Sequence, residues 1–314
     1  MVERSTREIL RAVRRIEIAT RRAVNADLAG RYHSVFKGQG MAFSEVRPYA
    51  PGDDVRHIDW NVSARHQEHG LFVKQFIEER ELTVMLLVDM SGSTDFGTRG
   101  ERKRELLAKA GALVAYSAIR NNDRVGLILF TDEVELYLPP RKGKQHVLRV
   151  TREIATHEPR ARRTRLGAAL GYLSRVQKKK TVCFVLSDWL DPQGWDKQMK
   201  LAAARHDVVA VRVTDAAELR LPNLGIVDLI DAETGKVRRI DTGQASGRAA
   251  FQKAQSAHRD ATKKRLRQLG CDLVDIPSYG PEGQLVTSID GGPDLVTPLV
   301  NFFRARSARM RSGR

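Results

Sequence analysis

The chain has 314 residues, 41% of them apolar, enough for one large or two modest domains with a buried core, which excludes a peptide hormone or a disordered tail. Lys and Arg number 54 against 38 Asp and Glu, a formal net charge of +16, so the surface is cationic and suits anionic partners. No apolar run approaches the roughly 18 residues of a membrane helix, and Arg4, Arg7, Arg11, Arg14 and Arg15 interrupt any signal-peptide core, which reads as a cytoplasmic chain.

In chain order, residues 1–24 carry Ile9, Leu10, Val13 and Ile16 at helical spacing among basic residues, a basic amphipathic helix. Residues 25–80 mix Gly, Pro and aromatics without a sustained period and read as a small β or extended subdomain. From residue 81 to 314 the pattern changes to short apolar runs alternating with helical ones. Val84–Val88, Val125–Phe130, Val182–Leu186 and Val208–Val213 read as buried strands, with Leu273–Ile276 a weaker fifth. Between the first two, Glu101–Asn121 places Leu106, Ala110, Leu113, Val114 and Ser117 on one helical face. Val134–Leu138 follows Val125–Phe130 too closely for a helical crossover and is therefore an antiparallel edge hairpin. Further on, residues 226–240 suit a hairpin, 255–269 a charged helix and 296–310 a terminal amphipathic helix. Strands alternating with helices give the fold class: α/β, with a doubly wound, mostly parallel sheet. Cys183 and Cys271 each sit inside an apolar segment and read as buried reduced thiols.

Chemistry concentrates where the first buried strand runs out. Asp89, Ser91 and Ser93 form an Asp-x-Ser-x-Ser at the carboxyl end of that strand, the place where open α/β sheets bind ligands. A carboxylate and two hydroxyls are hard oxygen donors of the kind Mg²⁺ takes in octahedral geometry, with Mn²⁺ as a substitute. Thr164 at the start of a helix and Asp188 at the end of the Val182 strand can complete the set. Two carboxylates formally balance one divalent cation, and an open coordination position would attract a carboxylate from another molecule.

That series of oxygens resembles the metal-ion-dependent adhesion site of von Willebrand factor A domains. Upstream, Gly38-Gln39-Gly40, Phe43, Arg47-Pro48-Tyr49, Pro51-Gly52-Asp53-Asp54, Arg56-His57-Ile58-Asp59-Trp60 and Ser63-Ala64-Arg65 follow in order. The whole array, over about residues 30–300, resembles the bacterial "domain of unknown function 58" family, with Thr94 where many of its members have Met. The resemblance implies a von Willebrand A-type domain, a metal held by Asp89, Ser91, Ser93, Thr164 and Asp188, and a MoxR-type AAA+ ATPase as partner in the assembly or activation of a client protein. It implies a Mg²⁺-dependent protein-interaction module and not an enzyme; the alternatives are a metal-dependent phosphohydrolase and a nucleic-acid-binding protein acting through the basic surface.

Asp53, Asp54, Asp59 and His57 form a second polar cluster. Its acids match backbone amides and the nearby Arg47, Arg56 and Arg65, so the expectation is structural, with Trp60 and Tyr49 as apolar anchors. Nine basic residues against two acidic ones lie between Pro139 and Arg165. Arg141, Lys142, Lys144, Arg163 and Arg165 are accordingly expected to form a cationic rim around the metal and to bind an acidic protein surface. A nucleic-acid reading needs the same charges but finds no aromatic interleaving and no helix-turn-helix, zinc-finger or KH signature. Walker A and Gly-x-Ser-x-Gly motifs do not occur, so ATP hydrolysis falls to a partner.

Overall fold

The computed structural model describes residue 24 and residues 26–36, 41–65, 70–78, 81–97, 102–191, 194–277 and 295–312. The amphipathic helix expected over 1–24 therefore lies almost wholly outside the described residues. The chain separates into two compact units, a small one of residues 37–82 and a large one that joins the segment before residue 37 to residues 83–314.

In the large unit, helix α1 is Ala26–Val35. In the small unit, β1 is Met41–Pro48, α2 is Trp60–Arg65 and β2 is Phe72–Glu78. The large unit then continues through β3 (Thr83–Asp89), α3 (Lys103–Arg120), β4 (Arg124–Phe130), β5 (Val134–Arg141), α4 (Lys144–Thr156), α5 (Leu166–Val176) and β6 (Val182–Ser187). After it come α6 (Asp196–Arg205), β7 (Asp207–Thr214), α7 (Ala216–Leu219), the strands β8 (Ile226–Ile230) and β9 (Val237–Asp241), α8 (Ala245–Gln268), β10 (Asp272–Pro277) and α9 (Val296–Ser312).

Six strands form one sheet in the order β10-β7-β6-β3-β4-β5. All neighbours run parallel except β4 and β5. The doubly wound sheet, its antiparallel edge and the β8–β9 hairpin are as the sequence led us to expect. The apolar runs form strands because both faces are covered. Met85, Leu87, Ile128, Cys183 and Val185 pack against Leu166, Leu170 and Leu173 of α5 and Met199 of α6. On the opposite face, α3 is buried along most of its length.

The chain moves outward in one direction from β3 to β4 and β5, then returns to β6 on the other side of β3. This reversal opens a crevice at the carboxyl ends of β3 and β6, the ligand-binding position of such sheets. Asp89 and Asp188 stand at those two strand ends.

Two sequence expectations need correction. The boundary at residue 25 moves to 37, because α1 packs with the α/β unit. Tyr32 and Phe36 are fully buried, with Phe36 5.8 Å from Phe184 of β6 and 5.9 Å from Phe303 of α9 between ring centroids. The Tyr32 hydroxyl donates to Asp123 at 3.0 Å. A helix of ten residues carries too few periods to announce which core it joins.

The second correction concerns Trp60, expected as an apolar anchor. The residue is 65% exposed. Trp60 opens α2, whose buried residue is Ser63, and the Ser63 hydroxyl accepts the Phe72 amide at 2.9 Å. The small unit is instead centred on Ile58 and Val73, which also bridge through their backbones. Its carboxylates are occupied locally. Asp53 takes a two-pronged bond from Arg47 (2.7 and 2.6 Å) and the Ala50 amide; the Arg47 bond, with that amide, holds the Asp53 carboxyl down at about 2. Asp54 caps the turn at Val55–His57, and Asp59 caps α2 through the amides of Asn61 and Val62.

If α1 belongs to the α/β core, Phe36→Ala should lower that unit's stability by about 3 kcal/mol or more. Urea unfolding followed through the buried Trp189 and Trp195, both in the large unit, checks this; an unchanged transition would return α1 to the small unit.

Candidate metal centre at the β3 and β6 strand ends

The strand β3 delivers Asp89 into a fully buried position. Its Oδ1 accepts the Ser91 amide at 2.9 Å and its Oδ2 accepts the Ser187 hydroxyl from the end of β6 at 2.7 Å. After Asp89 the chain enters a 3₁₀ turn, Gly92–Asp95. This turn sets the hydroxyls of Ser91 and Ser93 3.1 Å apart. Thr94 is buried and spends its hydroxyl on the Ser91 carbonyl at 2.7 Å, which holds the turn closed.

Asp188 is set by an unusual backbone. The next residue, Trp189, has φ of 64°, which costs about 1–3 kcal/mol in a non-glycine residue. Its indole is pinned by a bond to the Val211 carbonyl at 3.2 Å and by edge packing on Trp195. Thr164 is buried just before α5, whose first amide at Leu166 is capped by Asp191 at 2.8 Å.

Three residues that the sequence reading missed complete the arrangement. Lys103, first residue of α3, is 1% exposed and donates to Asp188 Oδ2 at 2.8 Å and to Glu218 of α7. The Thr164 hydroxyl donates to Oε1 of Glu233 at 2.8 Å, and Glu233 sits in the turn of the β8–β9 hairpin. These partners lie 85, 115 and 69 residues apart in sequence, so no local signal could have paired them.

Burial shapes the electrostatics. Desolvation, with the neighbouring Asp188 charge adding to it, pushes the Asp89 carboxyl up to about 7. Burial works to discharge Lys103, but Asp188 and Glu218 together outweigh it and hold the ammonium above the ordinary lysine value. Glu218 and Glu233 are both raised, chiefly by burial. The pocket is therefore rich in carboxylates that share one internal cation.

The donor set fits a hard divalent cation. With metal–oxygen bonds of about 2.0–2.1 Å, adjacent ligands of an octahedron stand about 3 Å apart, and the Ser91 and Ser93 oxygens meet that spacing. Among the described residues, no three His, Cys, Asp or Glu side chains cluster closely enough to hold a metal by themselves. A metal here would need the hydroxyl oxygens as ligands as well, and oxygen donors of this kind would suit Mg²⁺ or Mn²⁺ better than an ion that prefers nitrogen or sulfur.

Only part of the expected cationic rim is at this end of the sheet. Arg163 and Arg165 are exposed and flank Thr164. Arg141, Lys142 and Lys144 are exposed at the other end, because β5 runs antiparallel to β4 and carries the chain back until Arg141 stands beside Val125. Phe130, opposite Asp89, is five residues along β4, so that basic turn is about 17 Å from the site. A Debye length of about 8 Å screens its charges from any ligand there.

These features define an α/β protein with a doubly wound, mostly parallel sheet and a cluster of oxygen-bearing side chains at its switch point. The chain matches the family described as "Protein of unknown function DUF58" over residues 45–261, and it belongs to that family. It is 35% identical over 267 residues to "Uncharacterized protein Mb1516" of Mycobacterium bovis, covering 84% of this chain and 83% of that one. It is 30% identical over 112 residues to "Uncharacterized protein YeaD" of Bacillus subtilis, 36% of this chain and 25% of that one. Similar solved structures include BatB from Bacteroides thetaiotaomicron, with TM-score 0.39 and 17% identity, covering 60% of this chain and 98% of that one. The SpRpn10 VWA domain has TM-score 0.40 and 12% identity, covering 71% of this chain and 95% of that one.

Two predictions follow from the electrostatics of the site. Lys103→Met leaves Asp188 with no internal counter-charge and should cost about 3–5 kcal/mol in urea unfolding with EDTA present. Asp89, with a folded pKa near 7 against an ordinary 3.8, keeps its proton in the folded chain where the unfolded chain has lost it. The group's contribution to stability therefore falls as pH rises from about 4 to about 7. In EDTA, Asp89→Asn should gain on the wild type between pH 5 and pH 8 in chemical unfolding; a constant difference would mean that Asp89 is ionised throughout.

Proposed function

We propose that this chain is a Mg²⁺-dependent, non-catalytic protein-interaction module that acts in the cytoplasm as the adaptor of a MoxR-type AAA+ ATPase, in the assembly or activation of a client protein. Membership in the family supports the interaction-module reading. One observation carries the metal reading: Asp89, Ser91, Ser93, Thr164 and Asp188 come from three separate segments of the chain to one crevice, with the two serine hydroxyls, hydrogen-bonded to each other at 3.1 Å, at a spacing that adjacent octahedral ligands also have. The bound cation would supply an electrophilic position for a partner's carboxylate. The chain's own part is to hold the donors. Asp89 is fixed by the Ser187 hydroxyl and the Ser91 amide, Asp188 by the Leu190 amide and Lys103, and the serines by the turn that Thr94 closes. Arg163 and Arg165 add positive potential beside Thr164 and favour approach of an acidic surface. Among the described residues, no helix is long and apolar enough to cross a membrane.

Free Mg²⁺ or Mn²⁺ about 100-fold above Kd should stabilise the chain by roughly 2.7 kcal/mol, read as a rise in melting temperature after EDTA stripping. Asp89→Ala should abolish the rise, and no response in the stripped wild type would remove the metal from the proposal. Surface-plasmon kinetics on a MoxR-type ATPase test the steering. Arg163→Ser with Arg165→Ser should slow association most at low salt, while neutralising Arg141, Lys142 and Lys144 should leave it unchanged.

A further inference from the structure

The carboxylate that a partner would bring to this crevice has a rival within the chain. Glu233 accepts the Thr164 hydroxyl at 2.8 Å, so an acid already stands against one member of the proposed ligand set. Its presentation is built rather than incidental. Asp231 Oδ1 accepts the amides of Glu233 and Thr234 at 3.0 and 2.8 Å, and Gly235 turns the chain with φ of 69°. The neighbouring Ala232 carbonyl lies so close to Gly92, in the serine loop itself, that a Cβ there would come within 2.4 Å of it. Only glycine at position 92 lets the hairpin tip seat on that loop.

The rest of the hairpin is held differently. Its outer strands are open to solvent, with Ile226 70% and Ile230 69% exposed. Arg239 and Asp228 tie the two strands together across the pair at 2.8 and 3.0 Å. At the base, Gly225 has φ of 69°, and Thr242 bonds back to the Gly225 carbonyl and the Leu224 amide. The element is a braced arm with a glycine at its foot, seated at the tip.

We infer that the β8–β9 hairpin is a latch: Glu233 takes in cis the place beside Thr164 that an acidic partner side chain would take, and a partner gains the site when the hairpin tip leaves it. The inference rests on the metal reading above, and it adds a control to it. A closed latch lowers apparent affinity for an external acid by the fraction of molecules that are open, so removing it should tighten binding about tenfold or more when under a tenth are open.

The test uses the full chain, Mn²⁺ as probe and two variants that open the latch by different routes. Glu233→Ala removes the carboxylate; Gly92→Ala keeps it and pushes the Ala232 carbonyl away. Bound Mn²⁺ is measured by loss of the free-ion paramagnetic resonance signal, access to it by water-proton relaxation, and hairpin opening by trypsin cleavage at Lys236, Arg238 and Arg239. Mn²⁺ should slow cleavage in the wild type severalfold. Both variants should cleave about tenfold faster and show higher relaxation per bound Mn²⁺, because water enters the vacated place. If Mn²⁺ binds the wild type and both variants alike, with cleavage and relaxation unchanged, the latch is wrong and the metal site stands. If Mn²⁺ binds none of the three, the metal reading and the latch fall together.

Discussion

Burying two carboxylates side by side is the constraint on which the upper end of this structure depends. Asp89 and Asp188 terminate adjacent parallel strands, are both buried, and repel each other. A low-dielectric interior makes such an arrangement costly unless each oxygen is bonded and the charge is offset. The surrounding chain supplies both. Ser187 and the Ser91 amide satisfy Asp89, while Lys103 places an ammonium between Asp188 and Glu218. Asp89, Asp188, Glu218 and Glu233 against the one ammonium of Lys103 leave more acids than internal cations at this end of the sheet. Burial, with the Asp188 charge beside it, pushes the Asp89 carboxyl up to about 7.

Lys103 also links the site to the body of the domain. It begins α3, the helix buried along the sheet, so the position of its ammonium is set by the packing of that whole helix. Asp188 is held from the other side by Trp189, whose strained backbone persists because its indole is locked against Val211 and Trp195. A change in either packing face would reach the crevice through these two residues. The cysteines play no part in it: Cys183 and Cys271 are both buried and unbridged, and burial raises their thiol pKa values, which leaves them inert.

Charge on this molecule is informative only when its end of the sheet is known. The stretch from Pro139 to Arg165 is basic throughout, yet an antiparallel strand and a helix separate it into two places. Arg163 and Arg165 stand beside Thr164, and the turn at Arg141–Lys144 lies at the opposite end. With screening over about 8 Å, the two groups act on different neighbours. Net charge alone described a tendency of the surface and not the address of a partner.

The sequence by itself determined the elements of the sheet, because strands covered on both faces are apolar almost throughout, as in Val84–Val88, and as in Val208–Val213, where the one charged residue, Arg212, is buried against Asp275. It also determined the Asp-x-Ser-x-Ser turn, where the donors are neighbours in the chain and their spacing is the geometry. Only the tertiary structure decided what faces that turn. Lys103, Glu218 and Glu233 are single charged residues in segments whose local pattern marks them as surface, and they reach the crevice through contacts spanning 69 to 115 residues. Likewise, α1 joins the α/β core through Phe36 against Phe184 and Phe303, a contact that no periodicity within ten residues can announce. Local chemistry is written in adjacent residues, whereas the pairing of distant charges and rings follows from how strands are ordered and which way each one runs.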